Sequence, residues 1–149
     1  MPPVVQAAQH EDVEQIRLLM RRVVSVSVDS ALQGEIIANV EANLAAWRDG
    51  SVDGVHMVAT SGQSIIGVVL VKDFWNLCSL FVEQSHQRCG VGRSLVETAA
   101  LACTSRSPRR AILLNAYPSA VGFYERLGFA RRVTAQNLPA GIQPMERAL

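Results

Sequence analysis

Gln87-Arg88-Cys89-Gly90-Val91-Gly92 stands between the apolar run Leu77 to Val82 and a helix-like stretch from Val91 to Cys103. Two glycines at a strand-to-helix junction let successive backbone N–H groups turn inward, where the partial positive charge of a helix N-terminus favours a phosphate or pyrophosphate. The junction therefore predicts a site for a phosphorylated cofactor. Two familiar phosphate loops do not fit it. A P-loop needs Gly-Lys followed by Ser or Thr, and a dinucleotide fingerprint needs a third glycine or alanine where Leu95 stands. The loop also begins past the middle of the chain, whereas a dinucleotide fingerprint normally follows the first strand of its βαβ unit.

Outward from the loop, hydrophobic periodicity orders the rest. Val4 to Ala7 suits a short first strand, and Val13, Ile16, Leu19, Met20 and Val23 follow at helical spacing behind the acidic turn His10-Glu11-Asp12. Ile36, Ile37, Val40, Leu44 and Trp47 mark a second amphipathic helix that stops at Asp49-Gly50. Between the two, Val24 to Gln33 mixes β-branched residues with serines and declares no element. Val55 to Thr60 and Ser64 to Val71 read as strands joined by the turn Ser61-Gly62, and Phe74 to Val82 as a third. After the loop come the helix from Val91, a breaker at Ser107-Pro108, a buried strand Ala111 to Asn115, a short helix Pro118 to Leu127 ended by Gly128, and a strand Phe129 to Thr134. Gly141 to Arg147 is expected to add a last edge strand. The order predicts an α/β sandwich on a mixed sheet, with no internal repeat or linker.

A chain of 149 residues with 49% hydrophobic content is the size of one domain around one sizeable core. Net charge is +1 with the signs interspersed, which leaves no electrostatic footprint for nucleic acid; the arginines at 106 to 110 and 131 to 132 read as solvated turns. No apolar run is long enough to span a membrane, and the N-terminus lacks the basic and apolar regions of a signal peptide, so a cytoplasmic location is expected. Cys78, Cys89 and Cys103 form no CxxC pair and read as free thiols. His10, His56 and His86 are too scattered in sequence to suggest a metal site.

The loop resembles the acyl-CoA loop of the GNAT N-acyltransferase superfamily: Gln or Arg, two residues, Gly, one residue, Gly or Ala, filled here by Gln87, Gly90 and Gly92. Leu80-Phe81-Val82 is similar to the family's apolar strand before that loop. Ala120-Val121-Gly122-Phe123-Tyr124-Glu125-Arg126-Leu127-Gly128-Phe129 resembles its late helix, with an aromatic, Tyr, Glu, a basic residue, any residue and Gly-Phe. The resemblance implies a GNAT fold of α+β type: a mixed, mostly antiparallel sheet of six to seven strands flanked by about four helices. It also implies acetyl-CoA as cosubstrate, no metal, and transfer to a primary amine, with a small amine, an amino acid or a peptide all open as the acceptor. Homodimers are common in the family and are the expected assembly if one forms.

Thioester aminolysis needs removal of an amine proton, stabilisation of an oxyanion and a proton for the leaving thiolate. By resemblance, backbone groups of Phe81 and Val82 bond the pantetheine arm and polarise the carbonyl. The pyrophosphate rests on the amides of Arg88, Cys89, Gly90, Val91, Gly92 and Arg93, with Ser94 near the helix start. Tyr124 matches the family's general acid; a phenol with a pKa of about 10 is neutral at pH 7 and can donate. Family members often carry a carboxylate in the strand before the loop, but Trp75-Asn76-Leu77-Cys78-Ser79 has none, which leaves Glu83 as the base candidate, with Asp73 and His86 as flanking alternatives. The loop also departs from the pattern at Gln84, His86 and Arg88, where Pro, an aromatic and Gly are frequent. Tyr117 stands where relatives often have Asn, and Asn115 is the substitute partner for the pantetheine arm. Two other readings stay open: a non-catalytic acyl-CoA-binding module that has lost its base, and a structural domain whose glycines serve only turns.

Overall fold

A computed structural model describes residues 3–149. Seven strands form one sheet in the order β1-β2-β3-β4-β5-β7-β6. The first four, β1 (Val4–Ala7), β2 (Gly54–Ser61), β3 (Ser64–Lys72) and β4 (Asn76–Val82), pair antiparallel in chain order. β5 (Ala111–Ala116) lies parallel to β4, and β7 (Gln143–Ala148) and the two-residue β6 (Ala130–Arg131) complete the far side. The sheet is thus mixed and mostly antiparallel, as the resemblance implies.

β3 is buried along almost its whole length because both faces of the sheet are covered there, which is why it reads as an unbroken apolar run. One face carries α1 (Val13–Ser27) and α2 (Ser30–Arg48), whose Ile16, Leu19, Val40 and Leu44 pack with Val58 and Val68. The other carries α3 (Val91–Cys103) and α4 (Val121–Arg126), where Leu95, Val96 and Tyr124 meet Val69, Val71 and Ile112. Gly67 lets α3 sit close: a Cβ there would lie 2.9 Å from Leu95 Cδ1 and 3.2 Å from Val91 Cγ1.

Three expectations need correction. β7 is not an edge strand: all six of its residues pair with β5, and β6 caps its other side. The strand expected from Phe129 to Thr134 shrinks to Ala130–Arg131, the two residues that pair with β7 at Glu146 and Met145. β4 begins at Asn76 rather than Phe74, since Asp73 and Phe74 have φ of 55° and 65° and form the turn out of β3. Val24 to Gln33 resolves into the end of α1, an extended Val28, and Asp29 as N-cap of α2, its carboxylate accepting from Ala31 N at 3.2 Å. Among the described residues no helix is long and apolar enough to cross a membrane.

Candidate active site

β4 and β5 share a single bridging pair, Asn76 with Leu113, anchored by Leu113 N–H donating to Trp75 O at 2.8 Å; beyond it they diverge. A register shift opposite Leu70/Val71 leaves Cys78 as an extra residue in β4, a bulge that turns the strand out of the plane. Residues of an antiparallel strand alternate between its two neighbours. Glu83 N–H bonds Ile66 O at 2.8 Å on the β3 side, so Phe81 and Ser79 also address β3, and the N–H and C=O of Leu80 and Val82 face the gap. Leu80, rather than Phe81, thus turns its backbone groups to the gap beside Val82; the Phe81 side chain lines the groove and packs toward α1 and α2.

The gap opens into a groove of about 840 Å³ that runs from the α1–α2 junction past β4 to the glycine loop and α4. Gln87 holds the loop by donating from Nε2 to Val82 O at 3.0 Å. Arg88 and Gly90 both have left-handed backbones, φ 64° and 83°, and α3 starts at Gly90 with no side-chain cap. Ser94 N–H is the first to close an intrahelical bond, to Gly90 O at 3.0 Å, so the amides of Val91, Gly92 and Arg93 lack intrahelical partners. The space off the Gly90 Cα is open, whereas a Cβ on Gly92 would come within 3.2 Å of the Phe123 ring. Gln87, Arg88, Gly90, Gly92 and Arg93 line the groove. The Val91 side chain is buried under α3 toward Gly67, and Cys89 is exposed with its thiol 3.6 Å from Gln87 O.

On the opposite wall Tyr124 is 8% exposed and sits edge-on to Phe123 and Phe129, at 5.1 and 5.5 Å. Burial pushes its phenol well above the usual value, so it stays protonated throughout the neutral range. Asn115, exposed near the end of β5, lines the same groove. Glu83 lies elsewhere: its carboxylate is gripped by Arg22 of α1, with Nη2 2.9 Å from Oε2, and does not line the groove. His86 Nδ1 is within 3.1 Å of Ser85 Oγ, and Asp73 is at the β3–β4 turn.

Of the histidines, His10 and His56 flank Trp47 edge-on, at 4.9 and 4.3 Å, outside the groove. Among the described residues no three potential metal ligands come together. Trp75 lies under the Arg109 guanidinium at 3.7 Å and Phe74 under that of Arg106 at 4.0 Å, so two arginines of the 106 to 110 turn are held on aromatic faces. Leu80, Ser79 and Asp29 line the groove without having been marked in the sequence; only the register with β3 and the path of the chain into α2 bring them there.

Residues 28–149 match the family model described as the acetyltransferase (GNAT) domain. The chain is a GNAT acetyltransferase. The splayed β4 and β5, the glycine loop and the α4 tyrosine are the parts of this GNAT domain that meet in one groove. Among solved structures it is similar to the PaiA N-acetyltransferase of Thermoplasma acidophilum in complex with coenzyme A, at 14% identity over 100% of both chains and a TM-score of 0.77. It is also similar to a GCN5-related N-acetyltransferase of Rhodopseudomonas palustris, at 18% identity, 100% and 97% coverage and a TM-score of 0.81. A third is the phosphinothricin acetyltransferase of Sinorhizobium meliloti in complex with acetyl-CoA, at 18% identity, 100% and 89% coverage and a TM-score of 0.70. At these identities the likeness is one of fold, and it extends over β1 and α1, which precede the family match. No curated protein matches the chain.

Proposed function

We propose that this GNAT domain binds acetyl-CoA and catalyses direct transfer of the acetyl group to a primary amine, with no covalent enzyme intermediate. The observation that carries the reading is convergence: unpaired strand backbone, an uncapped helix N-terminus and a buried, protonated tyrosine all line one groove. Leu80, and Val82 through its N–H while its carbonyl accepts from Gln87, offer backbone groups to a pantetheine arm as a missing strand would, and Asn115 stands across the gap from them. The free amides of Val91, Gly92 and Arg93, with the Arg88 and Arg93 side chains, suit a pyrophosphate. Cys89 and Ser94 contribute backbone to the turn. When bound, acetyl-CoA supplies an activated thioester whose thiolate leaves on acyl transfer.

The residues of the chain do the rest. Inward N–H groups of β4 stabilise charge developing on a carbonyl oxygen. The Tyr124 hydroxyl, neutral and free of hydrogen bonds among the described residues, is available to protonate a thiolate. Glu83, paired with Arg22 and outside the groove, is given no part in removing the amine proton. The lack of any carboxylate along Asn76–Val82 favours a second reading, a non-catalytic acyl-CoA-binding module.

Calorimetric titration with acetyl-CoA, followed by assay of free thiol release with a panel of amines, tests both. The wild-type chain should bind in the micromolar range. Gly90→Glu puts an anion where the pyrophosphate is expected, on a left-handed backbone that costs a side chain about 1–2 kcal/mol, and should weaken binding at least about tenfold in a protein that still melts cooperatively. Binding without thiol release from any amine would favour the module; no binding at all sinks the acetyl-transfer reading.

A further inference from the structure

The groove has a second half, beyond the reach of the glycine loop, and its chemistry is different. Val23, Ser27, Val28, Asp29, Leu32 and Ile36 wall it where α1 hands over to α2. Four of the six are aliphatic, and Leu32 keeps 41% of its surface exposed, apolar area that a ligand could cover.

The charges around this half are one-sided. The basic residues of α1 are already committed: Arg17 and Arg21 to Glu41 at 3.0 and 2.9 Å, and Arg22 to Glu83 at 2.9 Å. The groove's other cations, Arg88, Arg93 and Arg126, belong to the loop, α3 and α4. By contrast, Asp29 and Glu35 make no ion pair among the described residues. Tyr117, which lines the groove from the β5–α4 connection, feels Glu35: burial first, then that negative charge, push its phenol above the ordinary value. This end of the groove is therefore largely apolar, with the Asp29 carboxylate on its wall, Glu35 close enough to act on Tyr117, and no arginine of α1 or α2 among its lining residues.

Resting on the acetyl-transfer reading, we infer that the acceptor is an amine with an apolar body and no carboxylate or phosphate of its own, drawn in as the ammonium by Asp29 and Glu35 and seated against Leu32 and Ile36. A free amino acid meets the same apolar wall but brings a carboxylate toward the Asp29 and Glu35 charges, where the arginines of α1 are already paired with other carboxylates. Discrimination thus comes as much from repulsion of the wrong acceptor as from attraction of the right one.

The test compares three acceptors with one side-chain body, isoamylamine, leucinamide and leucine, by thiol release from acetyl-CoA at saturating cofactor. Isoamylamine should exceed leucine in kcat/KM by at least about tenfold, with leucinamide between them. In the double variant Asp29→Asn, Glu35→Gln that ratio should shrink to about threefold or less, while calorimetric affinity for acetyl-CoA stays the same. Asn caps a helix about as well as Asp, so the start of α2 is kept. Leucine turned over as well as isoamylamine, a ratio unmoved in the double variant, or no acetylation of any of the three by protein that acetylates another amine of the panel would each overturn the inference alone. Failure to bind acetyl-CoA would overturn the acetyl-transfer reading, and the inference with it.

Discussion

Tyr124 gives its hydroxyl nothing to bond among the described residues while facing the groove. Removing that hydroxyl should therefore separate chemistry from stability. Tyr124→Phe is expected to lower kcat for thiol release by about 100-fold, yet to shift unfolding free energy by no more than about 0.5 kcal/mol, as read from kinetics and urea denaturation of the same preparation. Tyr124 and the Gly90/Gly92 pair were legible in the sequence because each sits in a short contiguous motif whose spacing carries its role. Leu80 was not. Which backbone groups face the gap depends on pairing with β3 and on the bulge at Cys78, neither of which leaves a local signature. Glu83 illustrates the same limit from the other side: the arginine that occupies it lies 61 residues earlier, on a helix with no sequence relation to the loop.

At the scale of elements, the position of the α3 N-terminus is set from beneath by Gly67. A methyl there would sit 2.9 Å from Leu95 Cδ1 and 3.4 Å from Phe81 O, so Gly67→Ala must turn the buried Leu95 side chain aside or shift α3 against β3. The expected loss is about 1–3 kcal/mol in urea unfolding, and acetyl-CoA affinity should fall with it if α3 is what shifts. Periodicity was enough to place most helices and strands along the chain, since each buries one face or both. It did not place β7 in the sheet. Edge and interior strands of this length read alike, and β7 is made interior by β5, which lost its other neighbour to the splay and pairs along β7 instead. The start of α2 was equally hidden, because Asp29 is recognisable as a cap only once Val28 is seen to be extended.

For the whole molecule, His56 makes stability depend on pH from a point remote from the groove. Burial against Trp47 pushes its pKa down from 6.5 to about 4, partly offset by Asp12, and Nδ1 has no hydrogen-bond partner among the described residues. Between those values the unfolded chain binds a proton that the folded one refuses, so this contribution is complete above pH 6.5 and is lost as pH falls toward 4. Going from pH 7 to pH 5, the wild type should lose about 2 kcal/mol more than His56→Phe, at about 1.4 kcal/mol per unit, judged from urea midpoints at both values. The fold itself, a mixed sheet with helices on both faces, was readable from the order of elements; the stacking of His10, Trp47 and His56 was not, as it joins three elements far apart in the chain. The single β4–β5 pair at Asn76 and Leu113 has a wider meaning. It leaves the sheet as two halves, β1 to β4 and β5-β7-β6, that share almost no ladder, and a bound acyl-CoA would act as the splint between them. Were the halves to part more often without the splint, their unpaired edges would lie open to proteases. A cell rich in acetyl-CoA would then keep this protein longer than a starved one, so that the supply of the substrate governs the lifetime of its enzyme.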